Sequence, residues 1–88
     1  MADYQVRRNG EVLAEQFPVH DTDTLEAIVY KMRREKIWNG EILGFTKEKK
    51  EYGFCLYVND QPFQFVDCSA IATHDGTPPD PALLQAAL

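Results

Sequence analysis

Residues 23–38 read DTLEAIVYKMRREKIW, the one long helical pattern ahead of the C-terminal segment. Leu25, Ile28, Val29 and Met32 recur at helical spacing and make one apolar stripe. Glu26, Lys31, Arg33 and Arg34 occupy the rest of the circumference. Asp23 followed three residues later by Glu26 is a capping-box pattern, with carboxylates placed to serve the free N–H groups of the first turn. The acidic start and the basic end, Lys31 to Lys36, both complement the helix dipole. That dipole compensation accounts for the basic run without an anionic partner. Asn39-Gly40 is expected to stop the helix, because both residues tolerate the left-handed conformation.

On either side of this stretch the apolar residues alternate with the period of strands. Asn9-Gly10 separates Tyr4–Arg8 from Glu11–Gln16, a strong hairpin signal because both turn positions need positive φ. A two-residue turn sets Arg8 opposite Glu11, Val6 opposite Leu13 and Tyr4 opposite Glu15, with Phe17 continuing the apolar face and Pro18 ending the strand. After the helix, Leu43 and Phe45 share one face of a third strand, and Lys47–Glu51 is expected to be a charged loop. Tyr52, Phe54, Leu56 and Val58 share a face of a fourth strand. Asn59-Asp60 is a second tight turn, and it sets Leu56 opposite Phe63 and Phe54 opposite Phe65. A turn at Glu48-Lys49 would place Phe45 opposite Tyr52 and Leu43 opposite Phe54.

The expected fold is an α+β two-layer sandwich, with one helix on a mainly antiparallel sheet of about five strands in the order ββαβββ. That order also admits a β-grasp-like arrangement, in which the N-terminal hairpin and a later strand pair in the middle of the sheet. Residues 1–69 are expected to form a single domain. Residues 70–88 read as a C-terminal loop or tail, broken by Thr77-Pro78-Pro79-Asp80-Pro81. Asp80 and Pro81 suit the start of a short final helix, Pro81 to Leu88, carrying Leu83, Leu84 and Leu88.

Eighty-eight residues support one modest core, and a net charge of −5 argues against direct nucleic-acid binding, which needs clustered Lys and Arg. No apolar run reaches membrane-spanning length, and the opening MADYQVRRNGE lacks a signal-peptide core. Two cysteines, Cys55 and Cys68, are too few for a disulfide scaffold, so a reduced, cytoplasmic protein is expected.

Site chemistry is sparse. In the expected register Cys55 faces Gln64, too far from Cys68 to bridge it, and neither thiol has a basic neighbour. His20, Asp21 and Asp23 resemble a loose metal cluster, but no second histidine sits at ligand spacing and both aspartates suit a helix start. Ser69, His74 and Asp75 lie too close together in one segment to form a preorganised triad. Gly40, Gly44 and Gly53 are isolated and make no phosphate loop. No catalytic residue, metal or cofactor is expected.

What remains is the second face of the sheet. Val12, Ala14, Ile42, Cys55, Tyr57 and Val66 are expected there, beside Gln5, Arg7, Thr46 and Gln64, which is more apolar than a solvated face needs to be. The tail, a second copy or another protein would cover it. The candidate partner-binding residues are therefore Ile42, Cys55, Tyr57 and Val66, with Trp38 as a further amphipathic candidate, although a core plug closing the helix end accounts better for it. The expected function is that of a small non-catalytic module binding a protein partner or a second copy through this face. The alternative is a small ligand-binding domain or enzyme subunit with a pocket at the sheet edge.

Overall fold

Residues 2–71 are described by the structure, a computed structural model. The expected Pro81–Leu88 helix, and the loop leading to it beyond Ile71, lie outside the described residues. In chain order the elements are β1 (Ala2–Arg8), β2 (Glu11–Val19), α1 (Leu25–Arg34), β3 (Phe45–Lys50), β4 (Gly53–Val58), β5 (Gln61–Asp67) and α2 (Cys68–Ile71). The strands form one sheet in the order β2-β1-β5-β4-β3, with every pair antiparallel. The N-terminal hairpin therefore joins the later strands in the middle of the sheet, through β1 and β5. The architecture is a five-stranded antiparallel sheet with one ten-residue helix, and sheet predominates.

Both tight turns form where the sequence places them. Asn9 (φ 52) and Gly10 (φ 81) join β1 to β2, and Asn59 (φ 50) and Asp60 (φ 65) join β4 to β5. Positive φ at both central residues gives a turn whose twist matches that of the strands. The β4–β5 register follows, with Leu56 opposite Phe63 and Phe54 opposite Phe65.

The other two hairpins depart from the expected registers. Arg8 faces Glu11, but Val6 faces Ala14 rather than Leu13, and Tyr4 faces Phe17 rather than Glu15. Two irregularities, one on each side of Val6, each slip the register by one residue. The first slip reverses the face and the second restores it, so Phe17 and Val19 reach the core with Val6. Leu13 and Ala14 both touch the core, so Ala14 leaves the second face on which it was expected. In the second case the Lys47–Glu51 run is strand rather than loop: β3 continues to Lys50, and Glu51-Tyr52 makes the turn. Phe45 then faces Val58 instead of Tyr52, and Lys49 faces Phe54. β3 lies at the sheet edge, where charged side chains remain in water and cost nothing in burial. Leu43 precedes the strand and is 84% exposed, not paired with Phe54.

The helix is shorter than its sequence pattern. Thr24, not Asp23, is the N-cap, and its Oγ1 accepts from the Ala27 N–H at 3.1 Å. Asp23 instead accepts from the His20 N–H at 3.0 Å and from Lys31 Nζ at 2.7 Å, and so fixes the entry of the chain. These two bonds, Lys31 first, hold the Asp23 carboxyl below its ordinary value. At the other end Lys36 takes φ 61, the Lys36 N–H donates to the Arg33 carbonyl (3.1 Å), and the Ile37 N–H donates to the Met32 carbonyl (2.8 Å). This is a Schellman ending three residues before the expected Asn39-Gly40 stop. It turns Ile37 and Trp38 back onto the core, where both pack. Gly40 serves that packing, since a Cβ there would lie 2.9 Å from the Trp38 ring. Lysine is strained in the left-handed region, so Lys36→Gly should raise stability by about 1 kcal/mol. Urea unfolding measures this, and an unchanged or lowered midpoint would show that the Schellman ending does not form.

Ala70 and Ile71, expected as loop, close the described chain as part of the helical turn α2. The core gathers Ile28, Val29 and Met32 of α1 with Val6, Phe17, Phe54, Leu56, Val58, Phe63 and Phe65 of the sheet. Phe54 and Phe65 stack at 4.5 Å, and Phe17 and Tyr4 meet Phe65 edge-on at 5.5 and 6.4 Å.

Candidate interaction site

The loop between α1 and β3 is held by one side chain. Asn59, already committed to the β4–β5 turn, accepts through Oδ1 from the backbone N–H groups of Leu43 (2.7 Å) and Gly44 (3.0 Å). Its Nδ2 donates to the Glu41 carbonyl, and its own N–H donates to the Gly44 carbonyl at 2.9 Å. A loop backbone that would otherwise face water is thus satisfied and fixed. The loop presents Leu43 to solvent beside an open groove of about 440 Å³, lined by Leu43, Gly44, Phe45, Thr46, Tyr57, Asn59 and Asp60. By alternation alone Leu43 belongs to the apolar face of a strand and Asn59 to a turn. Nothing in a local pattern reports that an asparagine side chain reaches a loop fifteen residues upstream.

Tyr57 forms the wall of the groove on β4, opposite Thr46 and Pro62. Its hydroxyl donates to Glu48 Oε2 at 2.9 Å, and Lys50 Nζ lies 3.1 Å from Glu48 Oε1. The Lys50 hydrogen bond, followed by that from Tyr57, lowers the Glu48 carboxyl below its usual range. The reciprocal effect pushes Tyr57 from 10.0 up to about 12, with the Glu48 bond the main cause and the Cys55 thiol the second. A raised value favours the protonated phenol in the folded state. The contribution of this bond is therefore full below pH 10.0 and is lost as the pH rises towards about 12. Tyrosinate absorbance of the native protein minus that of Tyr57→Phe should show a step near 12; a step near 10.0 would mean that the Glu48 bond is absent.

The other candidate residues do not gather at one exposed patch. Ile42 and Trp38 are half-buried against the core, and Trp38 meets the Phe63 ring edge-on at 5.9 Å. The Trp38 indole Nε1 is buried with no hydrogen-bond partner among the described residues. Cys55 and Val66 do lie on the second face but are 3% and 0% exposed. Val66 sits between Gly53 of β4 and Gln5 of β1. Of the five candidates only Tyr57 reaches the groove.

Among the described residues no group of three or more His, Cys, Asp or Glu side chains is placed to hold a metal ion. Asp23, taken from the His20 region of the sequence, is engaged with Lys31 at 2.7 Å. Cys55 and Cys68 are both free thiols, and burial is the main cause that raises the Cys68 thiol. No helix among the described residues is long and apolar enough to cross a membrane. In comparisons with known proteins, no family model, curated protein or solved structure matches this chain.

Proposed function

We propose that the protein is a small, non-catalytic, cytoplasmic module, a helix layered on a sheet, that acts by binding another protein. The binding surface is the β3–β4 end of the sheet, with Leu43 and Tyr57 as its apolar contacts, rather than the middle of the second face. One observation carries this reading: Leu43 is 84% exposed, yet its backbone is pinned by Asn59. A lone exposed leucine is ordinary, but one held rigidly beside a groove has already lost the loop freedom that binding would otherwise have to remove. The negative net charge suits a partner with basic regions elsewhere on its surface, through long-range steering.

Site-specific photo-crosslinking in the native host cell tests this. A photoreactive residue at position 43 should give a discrete protein adduct, and the same residue at Tyr30, exposed on the helix, should not. Equal adducts at both positions, or none at 43, would remove the reading. The groove also favours a second reading, a small-ligand or enzyme-subunit site at the sheet edge, because Asn59 and Asp60 add polar groups to its apolar wall. Ligand sites usually enclose most of the ligand, and this groove is wide open. A reproducible micromolar metabolite hit in a thermal-shift screen, lost in Tyr57→Ala, would reverse the ranking.

A further inference from the structure

We propose that the outer edge of β3, unpaired among the described residues, pairs with an extended acidic segment of the partner, which adds a strand to the sheet. The inference rests on the interaction reading above and names the chemistry of the occupant. The N–H and the carbonyl of Gly44 both point at Asn59, at 3.0 and 2.9 Å. In an antiparallel pair this direction repeats every second residue. Thr46, Glu48 and Lys50 therefore bond towards β4, and the backbone groups of Phe45, Lys47 and Lys49 face outward. The positions from Thr46 to Lys49 are all exposed. β3 runs in unbroken register from Phe45 to Lys50, so its edge is regular enough to template another strand.

The opposite edge is built differently. β2 carries two register irregularities and Pro18, devices that obstruct pairing. β3 has neither. It has lysines: Lys47, Lys49 and Lys50 fall within six residues of a chain whose net charge is −5. Lysines on an edge repel a second copy of the same edge. They do not repel a strand with carboxylates at alternate positions, which would meet Lys47 and Lys49 across the new ladder. Lys47 lies on the same face of the sheet as Lys49, with Nζ 4.4 Å over the Phe54 ring, a contact it would exchange for a carboxylate of the added strand. An apolar residue at one end of the same segment would enter the groove beside Leu43.

Fluorescence anisotropy with short synthetic peptides tests the proposal. One peptide alternates glutamate with valine and threonine, and its control carries lysine in place of glutamate. The glutamate peptide should bind at least about tenfold more tightly than the lysine peptide, and less tightly at high salt. Lys47→Pro removes one outward N–H without touching the β4 ladder, and it should weaken binding about tenfold. Lys47→Glu combined with Lys49→Glu, which leaves the backbone intact, should reverse the preference between the peptides. Equal binding of both peptides, or unchanged binding by Lys47→Pro, overturns the proposal. Sedimentation that shows a dimer lost in Lys47→Pro also overturns it, because a second copy is then the occupant. An adduct at position 43 without peptide binding removes the edge proposal and leaves the interaction reading; neither adduct nor peptide binding removes both.

Discussion

Gly53→Ala should remove a large part of the protein's stability. Gly53 opens β4 with φ 149, a conformation that side-chain-bearing residues rarely adopt. A Cβ there would lie 1.8 Å from the Phe65 carbonyl oxygen, 2.9 Å from its carbon and 3.3 Å from the Asp67 nitrogen. These are backbone atoms of β5, so no rotamer change relieves the overlap. Either β4 and β5 separate at the Gly53–Val66 pair, or the Tyr52 carbonyl loses its 2.7 Å bond from the Asp67 N–H. Both routes disturb the strands that carry Phe54 and Phe65. The expected loss is about 4 kcal/mol or more, against a total of roughly 4–13 kcal/mol for a chain of this size. Thermal unfolding measures it: about 1 kcal/mol moves the midpoint of so small a domain by roughly 4–8 °C. A variant melting within a few degrees of the native protein would show that β4 does not approach β5 as described.

Phe65→Ala is expected to cost about 3–5 kcal/mol. Phe65 is 0% exposed and is touched by three rings, stacked on Phe54 and met edge-on by Phe17 and Tyr4. Truncation leaves a cavity between β4 and β2, and rigid strands cannot collapse to fill it. Phe54→Ala should cost less within the same range, because the flexible Lys47 side chain borders one side of that ring and can follow the truncation. Lys49→Ala should be nearly neutral, since the side chain is exposed on an edge strand. Urea unfolding of the three variants fixes the order, and a well-folded Phe65→Ala of native stability would disprove the aromatic stack.

The features legible in the sequence are those enforced by local chemistry. Asn9-Gly10 and Asn59-Asp60 are legible because few residues accept consecutive positive φ, and the β4–β5 register follows from its turn. The helix is visible in its stripe, but its end is not. Ile37 and Trp38 continue the apolar count, and a lysine at the left-handed position gives no warning. The β3 strand is concealed because an edge strand needs little burial, so FTKEKK looks like a loop. The β2 slips are concealed because two of them cancel, leaving the apolar parity at Phe17 almost as a regular hairpin would have it.

The site is less legible in the sequence than the fold. Alternation assigns Cys55, Tyr57 and Val66 correctly to the second face, but it cannot say how deep each one lies. Depth depends on neighbours across the sheet, and Gly53 beside Val66 is such a neighbour. Leu43 and Asn59 meet only in three dimensions, through a side-chain bond that crosses from a turn to a loop.

The place of β5 in the sheet bears on how a ribosome must deliver this protein. β5 is the last of the described strands in chain order, yet it lies between β1 and β4. As the nascent chain emerges, the first hairpin can close, and so can the β3–β4 hairpin. Neither has the other to lean on until residues 61–67 have left the exit tunnel. Before then the apolar sides of Val6, Phe17, Phe54 and Leu56 have no common interior. Emergence of this one segment therefore separates two unfinished halves from a folded domain. A synthesis pause just ahead of it holds, and a nonsense codon there releases, a chain with no stable intermediate to occupy, exposed to proteases and chaperones alike.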